Sequence, residues 1–272
     1  MSVDRYAVIG NPVEHSRSPQ IHSLFAQQAG QEMQYGRILA PLKSFTQEVR
    51  KFREQGGKGL NITLPFKQEA FALCDEVAER ARQAEAVNTL VFQASGKIFG
   101  DNTDGAGLVA DLTRNLDLRL AGKKILLLGA GGAVRGVLGP LIAQQPSHIV
   151  IANRTLDKAV LLAEHFAQWA EVCGCGYGDL GTEPFDLIIN GTSAGLNDEL
   201  PPLPDDLLKP GSVAYDMVYA EVATPFVHWG RQHGASFASD GLGMLVEQAA
   251  ESFLLWRGIR PQTAPVLRAL RS

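Results

Sequence analysis

Short apolar runs alternate with amphipathic stretches along nearly the whole chain. The runs with strand character span residues 6–10, 59–63, 86–92, 97–100, 124–128, 148–152, 185–190 and 213–217. Apolar residues also recur at helical spacing, at Ile21, Leu24, Phe25 and Ala29 and again at Leu245, Ala249, Phe253 and Trp256. Short strands that alternate with amphipathic helices are typical of α/β proteins with mainly parallel sheets. The pattern therefore predicts an α/β fold.

Local signals place the start of three helices. Ser18 is suited to an N-cap and Pro19 to the first helical position, so a helix is expected to begin there. The strand at 59–63 ends at Pro65, and residues 67–73 resume a helical pattern. Thr155, which follows the strand at 148–152, is a second N-cap candidate.

Composition narrows the class of protein. A chain of 272 residues is comfortable for two compact domains, and 45% hydrophobic with 20% charged residues is an ordinary globular balance. The net charge of −4 and the absence of a Lys/Arg-rich block argue against nucleic acid as a partner. No apolar run approaches the roughly 20 residues that cross a bilayer, and residues 1–5 do not lead into a secretory apolar core.

Cysteine and histidine usage indicates a cytoplasmic protein without a metal site. The three cysteines, an odd number with no C-x-x-C pair, are Cys74, Cys173 and Cys175. They do not suggest a disulfide framework, and reduced thiols fit a cytosolic enzyme. The six histidines show no H-E-x-x-H or comparable ligand spacing.

A glycine-rich segment joins the strand at 124–128 to a helix. Its residues are Gly129, Ala130, Gly131, Gly132 and Ala133. A turn of this kind lets backbone N–H groups approach a pyrophosphate at a helix N-terminus. The full G-x-G-x-x-G pattern would have glycine at position 134, where Val134 stands, and a glycine turn can also be merely structural. Its place between strand and helix favours a dinucleotide site.

The end of the next strand favours NADP over NAD. An NAD site usually has an acidic residue there to hold the ribose 2′-hydroxyl, whereas this chain has Asn153, Arg154 and Thr155. Arg154 offers a fork of donors to a 2′-phosphate, and Lys158 adds a second cation one helical turn later. The alternative is that Arg154 is a solvated surface charge; a capping role for Thr155 is compatible with either reading.

Polar clusters in the first half of the chain are ambiguous when each is taken alone. The segment 16–19 fits a helix cap, Asn61 and Thr63 fit the polar end of a strand, and Lys67 fits a surface lysine. The segment 101–105, Asp-Asn-Thr-Asp-Gly, has the composition of an ordinary turn.

Taken together, these segments resemble the shikimate dehydrogenase family. The matching segments, in chain order, are 10–12, 16–19, 61–67, 86–89, 100–105, 129–133, 153–155, 190–193, 215–219 and 240–245. The resemblance covers residues from about 6 to 256, and so many segments in one order are specific. It implies reversible, NADP-dependent oxidation of shikimate to 3-dehydroshikimate, in the biosynthesis of chorismate and aromatic amino acids.

The resemblance also implies a domain plan. A substrate-binding domain would comprise residues 1–104 plus 243–272, and a Rossmann-like NADP domain would comprise residues 105–242. The active site would lie in a cleft between the two domains. The implied assembly is a monomer or homodimer.

Site residues carry over by position. Ser16 and Ser18 would hydrogen-bond the substrate carboxylate, beside a helix N-terminus that favours anions. The other implied substrate positions are Asn61, Thr63, Lys67, Asn88, Asp104, Tyr219 and Gln248. The implied NADP positions are Gly129, Ala130, Gly131, Gly132, Ala133, Asn153, Arg154, Thr155, Lys158, Thr192, Ser193, Met217, Gly241, Met244 and Leu245. Thr192 and Ser193 also fit turn residues, and Met217 and Met244 also fit ordinary core packing.

Lys67 and Asp104 match the family's catalytic pair. Oxidation of a secondary alcohol needs a hydride acceptor on one side and a proton acceptor at the hydroxyl. Our hypothesis is that Lys67 moves the proton while Asp104 orients Lys67 and hydrogen-bonds a substrate hydroxyl. Which group carries the proton stays open, because coupled groups titrate as a pair.

Two alternatives remain at this point. The first is a relative that accepts quinate as well as shikimate, or that uses NAD. The second is a non-catalytic NADP-binding or metabolite-sensing protein on the same fold, since fold alone does not fix function.

Overall fold

The computed structural model describes residues 3–181, 183–192 and 199–271. The chain forms two compact units: unit 1 comprises Met1–Gly107 and Leu245–Ser272, and unit 2 comprises Leu108–Met244. Unit 1 is therefore built from two separate stretches of sequence, whereas unit 2 is continuous. Within the described ranges, no helix combines the length and the apolar character that crossing a membrane requires.

Unit 1 is organised around a mixed six-stranded sheet. Its strands are β1 (Asp4–Gly10), β2 (Met33–Leu39), β3 (Gly57–Ile62), β4 (Glu76–Val77), β5 (Thr89–Phe92) and β6 (Ile98–Asp101). They are ordered β2-β1-β3-β5-β6-β4. β1 pairs in parallel with β2 and β3, β4 pairs in parallel with β6, and β5 runs antiparallel to β3 and β6.

Five helices come from the first stretch of sequence. They are α1 (Ser18–Ala29), α2 (Phe45–Glu54), α3 (Lys67–Leu73), α4 (Glu79–Ala84) and α5 (Asp104–Ala110). α2 and α3 contribute Phe45, Val49, Phe52 and Ala70 to a core that also contains Ile9, Leu60 and Ile62 from the sheet. These helices and the sheet therefore share one hydrophobic core, and that core fixes the positions of the polar residues at their ends.

Unit 2 is a parallel sheet with helices packed against it. Its strands are β7 (Lys124–Leu128), β8 (His148–Ala152), β9 (Val172–Cys175), β10 (Phe185–Asn190), β11 (Leu208–Asp216) and β12 (Phe237–Ser239), ordered β12-β11-β10-β7-β8-β9. Its helices are α6 (Gly132–Ile142), α7 (Leu156–Phe166) and α8 (Pro225–Gln232), and a π-helical turn spans Asp111–Asn115. Every strand pair is parallel, so the carboxyl ends of the strands share one edge.

Two further helices complete unit 1. α9 (Leu242–Arg257) begins in the last residues of unit 2 and α10 (Thr263–Arg271) follows it. The Trp256 indole N–H of α9 donates to the carbonyl of Leu90 at 3.0 Å, and its ring lies 4.6 Å from that of Tyr6. Phe253 packs edge-on against Phe25 of α1. The C-terminal stretch is thus part of the unit 1 core.

His22 is a fully buried polar side chain in this core. Its ring stacks on Tyr35, with centroids 4.2 Å apart, and neither ring nitrogen has a hydrogen-bond partner among the described residues. Burial lowers the pKa of His22 to about 3, so the ring is neutral near pH 7. A neutral imidazole in an aromatic cluster packs as an apolar ring.

The predicted α/β fold is confirmed, and the boundaries of several elements match. The helix at 67–73 and the strands at 124–128, 148–152 and 185–190 have the predicted bounds, whereas the strand predicted at 213–217 is Leu208–Asp216. The prediction that Ser18 is an N-cap is wrong: Arg17 occupies that position and Ser18 is the first helical residue. The helix thus starts one residue earlier than predicted, and the Ser18 backbone N–H donates to Ser16 Oγ at 3.3 Å.

Candidate active site

Lys67 and Asp104 meet at the starts of two helices. Lys67 is the first residue of α3 and Asp104 is the first residue of α5. Lys67 Nζ lies 2.5 Å from Asp104 Oδ2, and the two side chains are only 15% and 10% exposed. The Val87 backbone N–H donates to the carbonyl of Lys67 at 2.9 Å, which ties the start of α3 to the residues before β5. The result is a hydrogen-bonded amine and carboxylate largely withdrawn from bulk water.

Asn88 fixes the second oxygen of Asp104. The Asn88 Nδ2 group donates to Asp104 Oδ1 at 2.7 Å and to Thr103 Oγ1 at 2.9 Å. Asn88 Oδ1 accepts from the Thr103 backbone N–H at 2.8 Å and from Thr89 Oγ1 at 2.9 Å. Each carboxylate oxygen of Asp104 therefore has its own donor, Lys67 or Asn88, and the carboxylate plane is set by both.

The loop that carries Asp104 is held by a partly buried ion pair. Arg80 of α4 binds Asp101 through two parallel hydrogen bonds of 2.8 and 2.7 Å. Asp101 Oδ1 also accepts from the Asn102 backbone N–H at 2.7 Å, and Asn102 Oδ1 accepts from the Asp104 backbone N–H at 3.2 Å. A bidentate arginine–carboxylate pair has a fixed geometry, so it orients the segment in which Asp104 lies.

Asn61 lies at the end of β3 in the same polar network. Its Oδ1 accepts from the Tyr35 hydroxyl at 2.7 Å, and its Nδ2 donates to Thr89 Oγ1 at 3.1 Å and to Ser252 Oγ at 2.9 Å. Burial raises the pKa of Tyr35 well above its ordinary value, so this hydroxyl stays a donor. These bonds fix the orientation of the Asn61 amide.

Helix α9 contributes Gln248 and Ser252. Gln248 Oε1 accepts from Thr103 Oγ1 at 3.3 Å and from Asn88 Nδ2 at 3.4 Å. Ser252, one helical turn later, lies 2.8 Å from Thr89 Oγ1. The network therefore joins α9 to the residues that hold Asp104.

Four members of this network escaped the sequence analysis. They are Tyr35, Thr89, Thr103 and Ser252. The available signals were weak: Thr103 lies inside the segment 101–105, and Ser252 follows Gln248 at i+4 on one helix face. Serine and threonine side chains are common in structural hydrogen bonds, so neither signal points to a site by itself.

Ser16 and Ser18 lie at the start of α1. Ser16 Oγ donates to Ser18 Oγ at 3.1 Å, and the Arg37 guanidinium donates twice to the carbonyl of Ser16, at 3.1 and 2.6 Å. Thr63, just past β3, packs against Gly10 so closely that a Cβ there would lie 2.2 Å from Thr63 Cγ2. The Ser16 backbone is thus held by β2, and Thr63 packs against the end of β1.

The glycine-rich turn in unit 2 joins β7 to α6. Gly129 has φ +100°, and Gly131 is the N-cap of α6 without a side chain to accept from the first turn. Among the described residues, no atom lies within 4 Å of a Cβ built at Gly131 or Gly132, so this part of the structure leaves space at the helix N-terminus. Val134 stands where the fingerprint has its third glycine, and a Cβ at Gly191 would lie 2.5 Å from Val134 Cγ2. The small residue in this packing is thus Gly191.

This turn fits the pyrophosphate of a dinucleotide. The exposed backbone at Gly131 and Gly132 and the N-terminus of an 11-residue helix supply N–H donors and a favourable dipole for an anion. The end of β8 fits a 2′-phosphate: Arg154 and Lys158 are exposed cations, and Asn153 Nδ2 donates to the carbonyl of Thr155 at 2.8 Å. Thr155 is the N-cap of α7, as predicted, although its side chain makes no capping bond.

Three further candidates meet at the carboxyl ends of β10 and β11. Thr192 Oγ1 donates to Asn190 Oδ1 at 2.7 Å, and the Met217 backbone N–H donates to the carbonyl of Asn190 at 2.8 Å. The Gly241 backbone N–H donates to the carbonyl of Val218 at 3.1 Å. A Cβ at Gly129 would lie 3.2 Å from Thr192 Cγ2, so this group adjoins the glycine-rich turn.

The remaining candidates are dispersed. Met244 is buried in the unit 2 core and Met217 packs against that core, as the packing alternative had it. Tyr219 is partly buried in unit 2, and Leu245 is the first residue of the second stretch of unit 1. Ser193 lies outside the described residues. Within the described ranges, no group of His, Cys, Asp and Glu side chains is arranged to hold a metal ion.

Two glycine substitutions should separate the turn's conformation from its contact with a ligand. Gly131→Ala should weaken NADPH binding about tenfold or more, because its Cβ would occupy the space in which the pyrophosphate is expected to bind. The unfolding temperature should stay near that of the wild type, because the Cβ would contact no described protein atom. Gly129→Ala should destabilise the protein by about 1–3 kcal/mol, because φ +100° is strained for alanine. Fluorescence titration with NADPH and thermal unfolding measure the two effects; unchanged NADPH binding by Gly131→Ala would contradict the assignment.

Comparison with known proteins identifies the family. Family models match at residues 8–90 (shikimate dehydrogenase substrate binding domain), 111–197 (shikimate / quinate 5-dehydrogenase) and 241–271 (shikimate 5'-dehydrogenase C-terminal domain). The shikimate dehydrogenase (NADP(+)) of Alkalilimnicola ehrlichii is 59% identical over 268 residues, which cover 98% of each chain. The chain belongs to the shikimate dehydrogenase family.

Solved structures of similar proteins agree with this membership. A shikimate 5-dehydrogenase from Thermus thermophilus, determined in complex with NADP(H) and shikimate, has a TM-score of 0.86 and 33% identity, with 98% of each chain covered. The Ael1 enzyme from Pseudomonas putida has a TM-score of 0.92 and 47% identity, and the match covers 99% of this chain and 98% of that one. The resemblance drawn from the sequence is confirmed, and the chain has the α/β fold of its relatives.

Proposed function

We propose that this protein catalyses the reversible NADPH-dependent reduction of 3-dehydroshikimate to shikimate. The observation that carries the proposal is the Lys67–Asp104 pair, an amine and a carboxylate 2.5 Å apart within a network of polar side chains. Family membership supports the substrate and the cofactor, since relatives that match over nearly the whole chain are NADP-dependent shikimate dehydrogenases. A cytoplasmic location is part of the proposal and is consistent with three free cysteines.

The two domains predicted from the sequence divide the work in this proposal. Residues 1–104 and 243–272 bind the substrate and carry out proton transfer, and residues 105–242 bind NADP. The Ser16 and Ser18 hydroxyls hydrogen-bond the substrate carboxylate beside the N-terminus of α1, where negative charge is favoured. Asn61, Asn88 and Gln248, together with Thr63, bind substrate oxygens. Each of Asn61, Asn88 and Gln248 is already oriented by bonds within unit 1.

NADP is held by residues of unit 2. The turn at Gly129–Gly132 binds the pyrophosphate through backbone N–H groups, and Arg154 and Lys158 bind the 2′-phosphate. Thr192, Met217 and Gly241 flank the nicotinamide end, since ligands of parallel α/β sheets bind at the carboxyl ends of the strands. When bound, NADPH supplies the hydride for reduction, and the oxidised form accepts it in the reverse direction.

Lys67 moves the proton at the reacting oxygen. During reduction, the Lys67 ammonium donates a proton to the carbonyl oxygen that becomes the hydroxyl, and during oxidation the neutral amine takes it back. Asp104 orients Lys67 through Oδ2 and holds a neighbouring substrate hydroxyl. Because Asn88 binds Asp104 Oδ1, the carboxylate keeps its orientation when Lys67 changes charge.

The direct test is NADPH absorbance after addition of 3-dehydroshikimate to the purified protein. We expect rapid oxidation of NADPH, much slower oxidation of NADH, and formation of shikimate. Quinate is tested with the oxidised cofactor, and turnover of quinate comparable to that of shikimate would favour the broader specificity. Binding of NADPH and 3-dehydroshikimate without any turnover would support the sensor alternative and overturn the proposal.

A further inference from the structure

A buried carboxylate in unit 2 is not accounted for by the proposed chemistry. Asp216 is the last residue of β11 and is fully buried, and it lies beside Asn190, the last residue of β10, in the register of the sheet. Burial raises the pKa of Asp216, and the nearby carboxylate of Asp240 acts in the same direction. No described ion pair gives Asp216 a cationic partner. A buried carboxylate without a cationic partner is costly unless hydrogen-bond donors compensate for the lost water.

The donors to Asp216 all come from segments that leave the carboxyl edge of the sheet. Its Oδ1 accepts from Asn190 Nδ2 at 3.0 Å and from the Val218 backbone N–H at 3.1 Å. Its Oδ2 accepts from Thr224 Oγ1 at 2.6 Å. Thr224 in turn is the N-cap of α8, where its hydroxyl accepts from the Val227 backbone N–H at 3.3 Å.

These bonds extend to the three residues that flank the nicotinamide end. Asn190 Oδ1 binds both the backbone N–H and the hydroxyl of Thr192, at 3.1 and 2.7 Å. Met217 immediately follows Asp216, and a Cβ at Gly241 would lie 2.3 Å from the carbonyl oxygen of Met217. One carboxylate therefore sets the path of the chain at Thr192, at Met217 and, through Met217, at Gly241.

We propose that Asp216 is a positioning residue that shapes the nicotinamide end of the NADP site through Asn190 and the 217–218 turn. It does not contact the cofactor. This inference rests on the proposed function, because it takes NADP as the ligand. Its specific consequence is that loss of the carboxylate should weaken binding of the nicotinamide end but not of the 2′-phosphate end. The 2′-phosphate site at Arg154 and Lys158 lies at the end of β8 and shares none of these bonds.

The test compares two isosteric variants. Asp216→Asn keeps the shape but removes the charge and leaves one acceptor oxygen in place of two, so an NH2 donor faces either Asn190 and Val218 or Thr224 where an acceptor stood. Asp186→Asn is the matched control: Asp186 lies near the start of β10, where it accepts from the Lys124 backbone N–H at 2.8 Å and from Lys209 at 3.1 Å. Both variants remove a carboxylate from the same sheet, at opposite ends of the strands.

The readouts are the Kd for NADPH and the Kd for adenosine 2′,5′-bisphosphate, which lacks the nicotinamide, together with the unfolding temperature. We expect Asp216→Asn to raise the Kd for NADPH about tenfold, as loss of charge-assisted bonds that order a site should, and to change the Kd for the bisphosphate less than twofold. We expect Asp186→Asn to change neither. Equal weakening of both ligands by Asp216→Asn, or no weakening of NADPH, would overturn the proposal.

A second variant covers the case in which Asp216→Asn does not fold. Asn190→Ala cuts the connection to Thr192 while Val218 and Thr224 keep their bonds to Asp216. It should give the same selective loss of NADPH binding, and an unchanged ratio of the two Kd values would count against the proposal. Turnover of 3-dehydroshikimate by the wild type is measured in the same series. Its absence would count against the proposed function, whereas normal wild-type turnover with no selective loss would count against Asp216 alone.

Discussion

Replacement of Lys67 by alanine is expected to lower kcat by about 100- to 10,000-fold, the usual cost of losing a general acid–base. KM and folding should change little, because Asp104 keeps its bond from Asn88 and the substrate keeps its other contacts. Steady-state kinetics with 3-dehydroshikimate and NADPH, together with thermal unfolding, measure both quantities. A loss confined to kcat is the signature of an interaction made in the transition state.

Lys97→Ala is the matched control for this experiment. Lys97 also forms an ion pair in unit 1, with Glu76 at 2.6 Å, but both side chains are about half exposed. An exposed pair contributes little to stability, so kcat and the unfolding temperature should stay near their wild-type values. If Lys67→Ala retains kcat within a few-fold of the wild type, Lys67 is not the proton-transfer residue.

The second large effect is expected at Arg154. Arg154→Ala should weaken NADPH binding by about 10- to 150-fold, because a hydrogen bond to a charged group contributes about 1.5–3 kcal/mol. NADH has no 2′-phosphate, so its binding should change less than about twofold. Titration of the variant with each cofactor gives the two Kd values directly.

Arg119 offers a control for net charge. It is an exposed arginine of unit 2 that precedes β7, and Arg119→Ala removes the same charge without touching the end of β8. The two cofactors should bind this variant as they bind the wild type. Equal losses for NADPH and NADH in Arg154→Ala would show that Arg154 does not recognise the 2′-phosphate.

The buried strands were predictable because a strand covered on both faces of a sheet needs apolar side chains at successive positions. β7, β8 and β10 lie inside a parallel sheet, and each contains an apolar run of three or four residues that the sequence displays directly. Strands at the edge of a sheet are harder to predict from the sequence, because fewer of their side chains are buried. β2 contains Gln34, Gly36 and Arg37 and is mostly exposed or partly exposed, and β9 is a four-residue strand with a central glycine. Neither has the hydrophobic run or the alternation that marks a strand.

The candidate site was only partly accessible to reasoning from residue types. Nothing in the spacing of Lys67 and Asp104 indicates that they meet; the resemblance to a family supplied that expectation, and the fold places them 2.5 Å apart. Residues that orient others were not found, because Thr89, Thr103 and Ser252 are side chains that fit a strand, a turn or a helix equally well. Their roles depend on which elements pack together, which is a property of the tertiary structure.

The discontinuity of unit 1 has a consequence for synthesis of the chain on the ribosome. Residues 1–107 leave the ribosome well before Phe253 and Trp256, which complete their core, and before Gln248 and Ser252, which complete their polar network. Unit 2 is continuous and has its whole core available earlier. Unit 2 can therefore fold first. Unit 1 keeps part of its apolar surface exposed to solvent until the last helices have left the ribosome.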